Sequence, residues 1–231
     1  MSSSPTRNFH PDGTLFIVSG PSGAGKTTLI RNVRELLEPL GITLYFSVSH
    51  TTRARRAGET DGRDYHFVTH ERFREMIDRD EFIEWAKVHE QLYGTSKDEV
   101  DARLQRGEDV ILDIDYQGAK QIDGDPRLKP RSWSIFIFPP SIHALEERLK
   151  SRKLNSDEEI ERRVEKAIRE IDEGKEFYDY IIINDELNVA TECLKAAIIA
   201  KKLKTKTALD AIREMTERFK EERSGKITRG H

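Results

Sequence analysis

The apolar run TLFIVSG, from Thr14 to Gly20, leads directly into GPSGAGKT, from Gly20 to Thr27, and a helical pattern opens behind it. A short apolar run that ends in glycine fits a strand buried in a parallel sheet. From Lys26 to Glu38 the residues Leu29, Ile30, Val33, Leu36 and Leu37 fall on one stripe, which Pro39 and Gly41 close. The segment between strand and helix matches G-x-x-x-x-G-K-[ST]. Its glycines let the backbone curl so that N–H groups point inward at phosphate oxygens, and the helix N-terminus adds its positive end. On this reading Gly20, Pro21, Ser22, Gly23, Ala24, Gly25, Lys26, Thr27 and Thr28 form a site for a nucleoside triphosphate. Lys26 reaches the β- and γ-phosphates, and Thr27 offers a hydroxyl to Mg²⁺. The plain alternative is a glycine turn that caps a helix.

Outward from this element, strand-like runs recur at Leu44–Val48, Glu81–Val88, Val110–Ile114, Ser134–Phe138 and Tyr180–Ile183. Helical patterns fall near 70–79, 96–106, 141–150, 156–174 and 185–203. Strands alternating with helices imply right-handed crossovers. The expected class is therefore α/β, a three-layer P-loop fold with a mainly parallel sheet and helices on both faces. The run VILDID ends in Asp113 and Asp115. Apolar residues leading to an acid at a strand's C-terminal end resemble a Walker B element, set in the crevice where open α/β sheets take ligands. Asp113 is the acid expected to organise magnesium. Either acid could instead cap the next helix or join a structural ion pair.

Composition narrows the class of protein. Across 231 residues, 39 Lys and Arg stand against 42 Asp and Glu, a net charge of −3. That balance excludes a generally basic nucleic-acid coat. With 36% hydrophobic and 35% charged residues, the chain has material for a core and is not a disordered polymer. No apolar run approaches the ~20 residues of a membrane span, and MSSSPTRNFHPDG at the N-terminus lacks a secretory signal's apolar segment. The single cysteine, Cys193, has no internal disulfide partner, and the seven histidines show no metal-like spacing. A soluble, cytoplasmic protein is expected, without membrane or nucleic-acid partners and with its oligomeric state left open. Residues 1–13 read as a flexible leader and 14–203 as the domain. Residues 204–231 read as a charged extension with Leu209, Ile212, Met215 and Phe219 at helical spacing. Inside the domain, a segment from about 49 to 98 breaks the strand–helix rhythm as an inserted lobe, and a charged helical segment from about 141 to 172 reads as a lid.

The lobe carries SVSHTTRARRAGE, Ser47 to Glu59, and GRDYHF, Gly62 to Phe67. Clustered arginines and hydroxyls suit a phosphate group, which guanidinium forks bind bidentately, and Tyr65 adds a phenolic donor. Taken alone, the segment also fits a solvated basic loop that touches RNA.

Here the sequence resembles the guanylate kinases. The pattern S-x-[ST]-T-R-x-x-R-x-G-E-x-x-G-x-D-Y-x-F over Ser49 to Phe67 is similar to that family's monophosphate-binding signature. FIEWA at 82–86, YGT at 93–95 and ILDIDYQG at 111–118 continue it in order. The likeness spans about residues 14–203. It implies a transferase of purine nucleotide metabolism that moves a phosphoryl group from ATP to GMP, and to dGMP, with Mg²⁺. It further implies that Ser49, Arg53, Arg56 and Tyr65 hold the GMP phosphate. Glu84 and Thr95 would read the guanine edge, with Tyr93 and Asp115 lining the pocket. Arg148, Arg152 and Arg163 would close over the donor phosphates from the lid, and Asn184 would lie near the adenine. A carboxylate can accept from guanine N1–H and the N2 amine together, while a threonine hydroxyl donates to O6. The chain departs from the family pattern at Arg55, where members commonly carry proline, and at Lys153 and Leu154, where they often carry glycine. A kinase of a sugar phosphate would lack the Glu84/Thr95 pair. Scaffold domains of this type usually have eroded phosphate loops, whereas Lys26, Thr27 and Asp113 are intact here.

Overall fold

In the computed structural model, residues 13–88, 90–151, 157–174, 177–203 and 215–221 are described. In chain order the first elements are β1 (Leu15–Ser19), α1 (Lys26–Leu37), β2 (Leu44–Phe46), β3 (His50–Thr51), β4 (His66–Phe67), α2 (His70–Asp78), β5 (Phe82–Val88) and β6 (Gln91–Ser96). Then follow α3 (Lys97–Gln105), β7 (Asp109–Asp113), α4 (Tyr116–Gly124), β8 (Ser132–Phe138), α5 (Ile142–Ser151), α6 (Asp157–Gly174), β9 (Tyr180–Ile183) and α7 (Leu187–Lys202).

Five of these strands form a wholly parallel sheet in the order β2-β7-β1-β8-β9. β1 is buried along its whole length because it lies in the middle, with helices on both faces. Phe16 and Val18 point to the side closed by α1 and α7, where they meet Leu29, Val33, Leu194 and Ile198. Leu15 and Ile17 point to the other side and meet Val100, Leu104 and Ile122 of α3 and α4. The chain leaves β1 to one side and later returns to place β8 on the other. The strand order therefore reverses at β1, and the phosphate loop hangs over that switch point.

The inserted segment builds a second sheet, β4-β3-β6-β5, with β5 and β6 antiparallel. Its own small core of Phe73, Met76 and Phe82 packs under α2, whose first turn Thr69 caps by accepting from the Arg72 amide at 3.1 Å. α5 and α6 share a separate cluster, Leu145, Leu149, Ile160, Val164 and Ala167.

The expected elements are all present among the described residues, with three differences. α4 carried no helical signal, since Gly118 and Gly124 interrupt its periodicity; it forms because Asp115 caps it and Tyr116, Ala119 and Ile122 are buried. β6 was hidden in a polar stretch, QLYGTS, and is held by pairing with β5. Leu36, placed on the apolar stripe of α1, is 40% exposed, because α1 turns only Leu29, Ile30, Val33 and Leu37 into the core. Of the expected tail helix, residues 215–221 are helical with Met215 and Phe219 exposed. Leu209 and Ile212, like residues 1–12, lie outside the described residues.

Candidate active site

Gly20 leaves β1 with φ 141°, and a Cβ there would sit 2.3 Å from the Ile137 carbonyl oxygen of β8. Only glycine lets the loop cross the end of the sheet so closely. Gly25 precedes α1 in the left-handed region, φ 92°, and a Cβ there would meet the Asn184 amide nitrogen at 2.4 Å. That amide fastens the loop: Asn184 Nδ2 donates to the Ala24 carbonyl at 2.7 Å. Arg148 follows it, donating from Nη2 to the Asn184 carbonyl at 2.8 Å. Both residues, with Gly23, Gly25, Thr28 and Leu187, line a cavity of about 340 Å³ behind the loop.

In front of the loop lies a larger cavity of about 480 Å³. Lys26 Nζ donates to the carbonyls of Gly20 at 2.8 Å and Pro21 at 3.4 Å, and lies 3.7 Å from Asp113 Oδ1. The Thr27 hydroxyl donates to Asp113 Oδ2 at 2.7 Å. Strand β7 thus delivers its terminal acid to the first turn of α1. A threonine oxygen beside a carboxylate is a hard donor pair that suits Mg²⁺, an ion that keeps several waters and takes only one or two protein carboxylates.

The lobe forms the opposite wall, with Ser49, Arg53, Arg56, Tyr65 and Tyr93 facing the cavity. Arg53 is held in place by Glu59, which accepts from its Nη2 at 2.7 Å, while Glu59's second oxygen accepts from the Arg56 amide at 2.7 Å. The Arg53 bond keeps the Glu59 carboxyl below the usual range. The guanidinium also lies 5.3 Å from the Tyr65 ring centroid. Burial, reinforced by the charge of Asp113, pushes the Tyr65 phenol up to about 12, so it remains a donor at neutral pH. Glu59 was read only as part of a pattern; its brace role could have been suspected from an acid closing a turn just after two arginines.

Glu84 and Thr95 are cross-strand partners on β5 and β6, beside a register shift between Phe82 and Glu84. The bulge turns the carboxylate inward, where it is 4% exposed, and the Thr95 hydroxyl donates to its Oε1. Burial raises the Glu84 carboxyl to about 7. The Thr95 bond opposes the rise, and the charge of Asp115 adds to it. Asp115 combines two of the readings open from sequence: Oδ1 accepts from the Gly118 amide at 3.1 Å and caps α4, and the side chain faces the cavity. Its Oδ2 lies 3.6 Å from Lys166 Nζ of α6, which is also 3.2 Å from Glu170 Oε1. Arg163, Lys166 and Glu170 all reach the cavity from α6. Only Arg163 was anticipated, although positions i, i+3 and i+7 share one helix face. Arg152, Lys153 and Leu154 lie outside the described residues.

A phosphate loop at the switch point of a parallel sheet, facing an inserted lobe across one cavity, defines a P-loop phosphotransferase. The family model for guanylate kinase matches residues 12–201. A guanylate kinase of Geobacter sulfurreducens is 47% identical over 204 residues, covering 88% of this chain and 97% of that protein. One from Yersinia pestis is 49% identical over 193 residues, covering 83% and 90%. The crystal structure of guanylate kinase from Anaplasma phagocytophilum superposes with a TM-score of 0.68 at 30% identity, covering 84% and 88%. The chain belongs to the guanylate kinase family.

Proposed function

We propose that this enzyme transfers the γ-phosphoryl group of ATP to the phosphate of GMP, and of dGMP, releasing ADP and GDP (or dGDP), and that the residues gathered around the larger cavity carry the reaction. The supporting observation is that one cavity of about 480 Å³ is bounded by the phosphate loop on one side and by both the Arg53–Tyr65 cluster and Glu84 on the other. A phosphate oxygen of GMP forms a bond to the γ-phosphorus as the bond to the β,γ-bridging oxygen breaks. Little covalent help is needed, so alignment and charge neutralisation do the catalysis. In this assignment Lys26 and the phosphate-loop amides hold the donor phosphates. Arg53, Arg56, Tyr65 and Ser49 hold the acceptor phosphate, and Arg163 approaches from α6. Asn184 borders the smaller cavity, on the adenine side; Arg148 borders it too, and its role over the donor phosphates is assigned to the closed lid. Thr27 and Asp113 would hold Mg²⁺, which, when bound, draws charge from the β- and γ-phosphates. Glu84 accepts from guanine N1–H and the N2 amine, supported by Thr95, with Tyr93 and Asp115 beside it.

The segment about 49–98 is assigned as the GMP lobe. The α5–α6 segment, about 141–172, is assigned as a lid, and the support is that it carries an apolar cluster of its own. Closing both over the nucleotides excludes water, which would otherwise hydrolyse ATP. Among the described residues no helix is long and apolar enough to cross a membrane. The test is a coupled ADP-release assay with ATP against GMP, dGMP, AMP, CMP and UMP. Turnover confined to the two guanine nucleotides is expected; equal turnover with AMP would overturn the acceptor assignment.

A further inference from the structure

Gly118, in the first turn of α4, lies with its backbone against the Glu84 carboxylate. A Cβ at 118 would fall 2.2 Å from Glu84 Oε2, 2.9 Å from its Cδ and 3.3 Å from its Cγ. The backbone of Gly118 is set in the helix, so a side chain there would push the carboxylate out of its place, toward the cavity that it lines. Glu84 is buried and its other oxygen is held by Thr95, which is itself fully buried. The Gly118 amide is bonded to Asp115. One turn on, Gln121 clamps the strand residue next to Glu84: its Nε2 donates to the Trp85 carbonyl at 2.7 Å, and its Oε1 accepts from the Trp85 amide at 3.1 Å. Helix α4 is thus fixed to β5 at the residue next to the carboxylate.

Backbone freedom does not account for this glycine. Gly118 is not among the residues with positive φ, and glycine inside a helix is a poorer choice than alanine. What the site requires is the missing side chain. We propose that Gly118 is a positioning residue for base recognition, leaving the space in which Glu84 lies flat against α4 with its edge toward the cavity. The inference rests on Glu84 as the reader of guanine.

Four variants of the full chain test it: Gly118→Ala, Glu84→Ala, the double substitution, and Gly124→Ala. A Cβ at Gly124, in the same helix, meets nothing within 4 Å. Gly118→Ala is expected to stay folded, because the carboxylate can shift into the cavity and alanine is the better helix former. It should raise the KM for GMP at least about tenfold with kcat little changed, and lower the GMP:AMP ratio of kcat/KM by a similar factor. The KM for ATP should stay within about twofold. In the Glu84→Ala background the same alanine should change GMP kinetics by less than about twofold, because the clash is gone. Gly124→Ala should match wild type throughout. If Glu84→Ala leaves the GMP:AMP ratio intact, guanine is read elsewhere and the inference falls with that reading. If Glu84→Ala destroys the ratio but Gly118→Ala preserves it, Gly118 has no positioning role. Equal losses for GMP and AMP, or a full loss that persists in the Glu84→Ala background, would mark Gly118 as a packing residue only.

Discussion

The Thr27 hydroxyl and Asp113 Oδ2 are 2.7 Å apart although 86 positions separate them in the chain. The contact joins the first turn of α1 to the end of β7 because β7 is the parallel neighbour of β1. Asp113 is therefore held ready beside the phosphate loop by sheet register, not by a flexible loop.

Asp113→Asn keeps the shape and removes the charge. It should lower kcat about 10²-fold or more, since charge stabilisation at the phosphates is lost. It should also raise the magnesium concentration needed for half-maximal rate. The fold should survive, because the core contacts of β7 come from Val110, Ile111 and Leu112. Steady-state rates across a magnesium titration decide it; a wild-type kcat at ordinary magnesium would remove Asp113 from the site.

Arg53 and Glu59 should act on the acceptor alone. Loss of a charged hydrogen bond costs about 1.5–3 kcal/mol, so Arg53→Ala should raise the KM for GMP by about 10–150-fold. Glu59→Gln leaves the guanidinium present but weakly braced, and should raise the same KM by a smaller factor of about 3–10. The KM for ATP should hardly move in either. Equal shifts for both nucleotides would place this pair outside the GMP lobe.

The sequence shows the phosphate loop and the main sheet plainly because both are local signals: an apolar run, then glycines at fixed spacing, then a helical stripe. Glu84 and Thr95 were legible only through resemblance, since their meeting depends on a cross-strand register with a bulge. Lys166 and Glu170 were missed because a charged face on a long helix usually means solvent; only the packing of α6 over the cavity shows otherwise. Gly118 was missed as a distinct feature because its significance lies in a neighbour 34 positions earlier.

Lys166 gives a stability prediction. It is within ion-pair distance of both Asp115 and Glu170, and Glu170 is only 8% exposed. Burial raises the Glu170 carboxyl, and Lys166 opposes that rise. Lys166→Met should destabilise the protein by about 1–3 kcal/mol at neutral pH by stranding buried charge. The fall in Tm should be about 2–4 °C per kcal/mol for a chain of this size. Adding Glu170→Gln should recover part of the loss. Thermal unfolding of the three proteins tests this, and an additive double variant would show that the two side chains are not coupled.

The last prediction concerns pH, and it sets activity against stability. The Glu84 carboxyl lies at about 7 in the folded protein against a reference of 4.5, because burial disfavours its charge. Guanine recognition needs the ionised form, which alone can accept from N1–H and N2 together. The kcat/KM for GMP should therefore rise with pH through about 7 and level off above it. Folding responds in the opposite sense. A carboxyl raised in the folded state makes that state bind more protons than the unfolded chain between 4.5 and about 7. The contribution of Glu84 to stability is thus full below that window, falls as pH rises through it, and stays low above. Glu84→Gln should abolish both trends, leaving a lower, flatter GMP profile and removing that part of the slope of Tm with pH. The phosphate of GMP also titrates, near about 6, but it does so equally with both proteins, so the difference between their profiles isolates Glu84. An inflection near 7 that survives in the glutamine variant would assign it to another group.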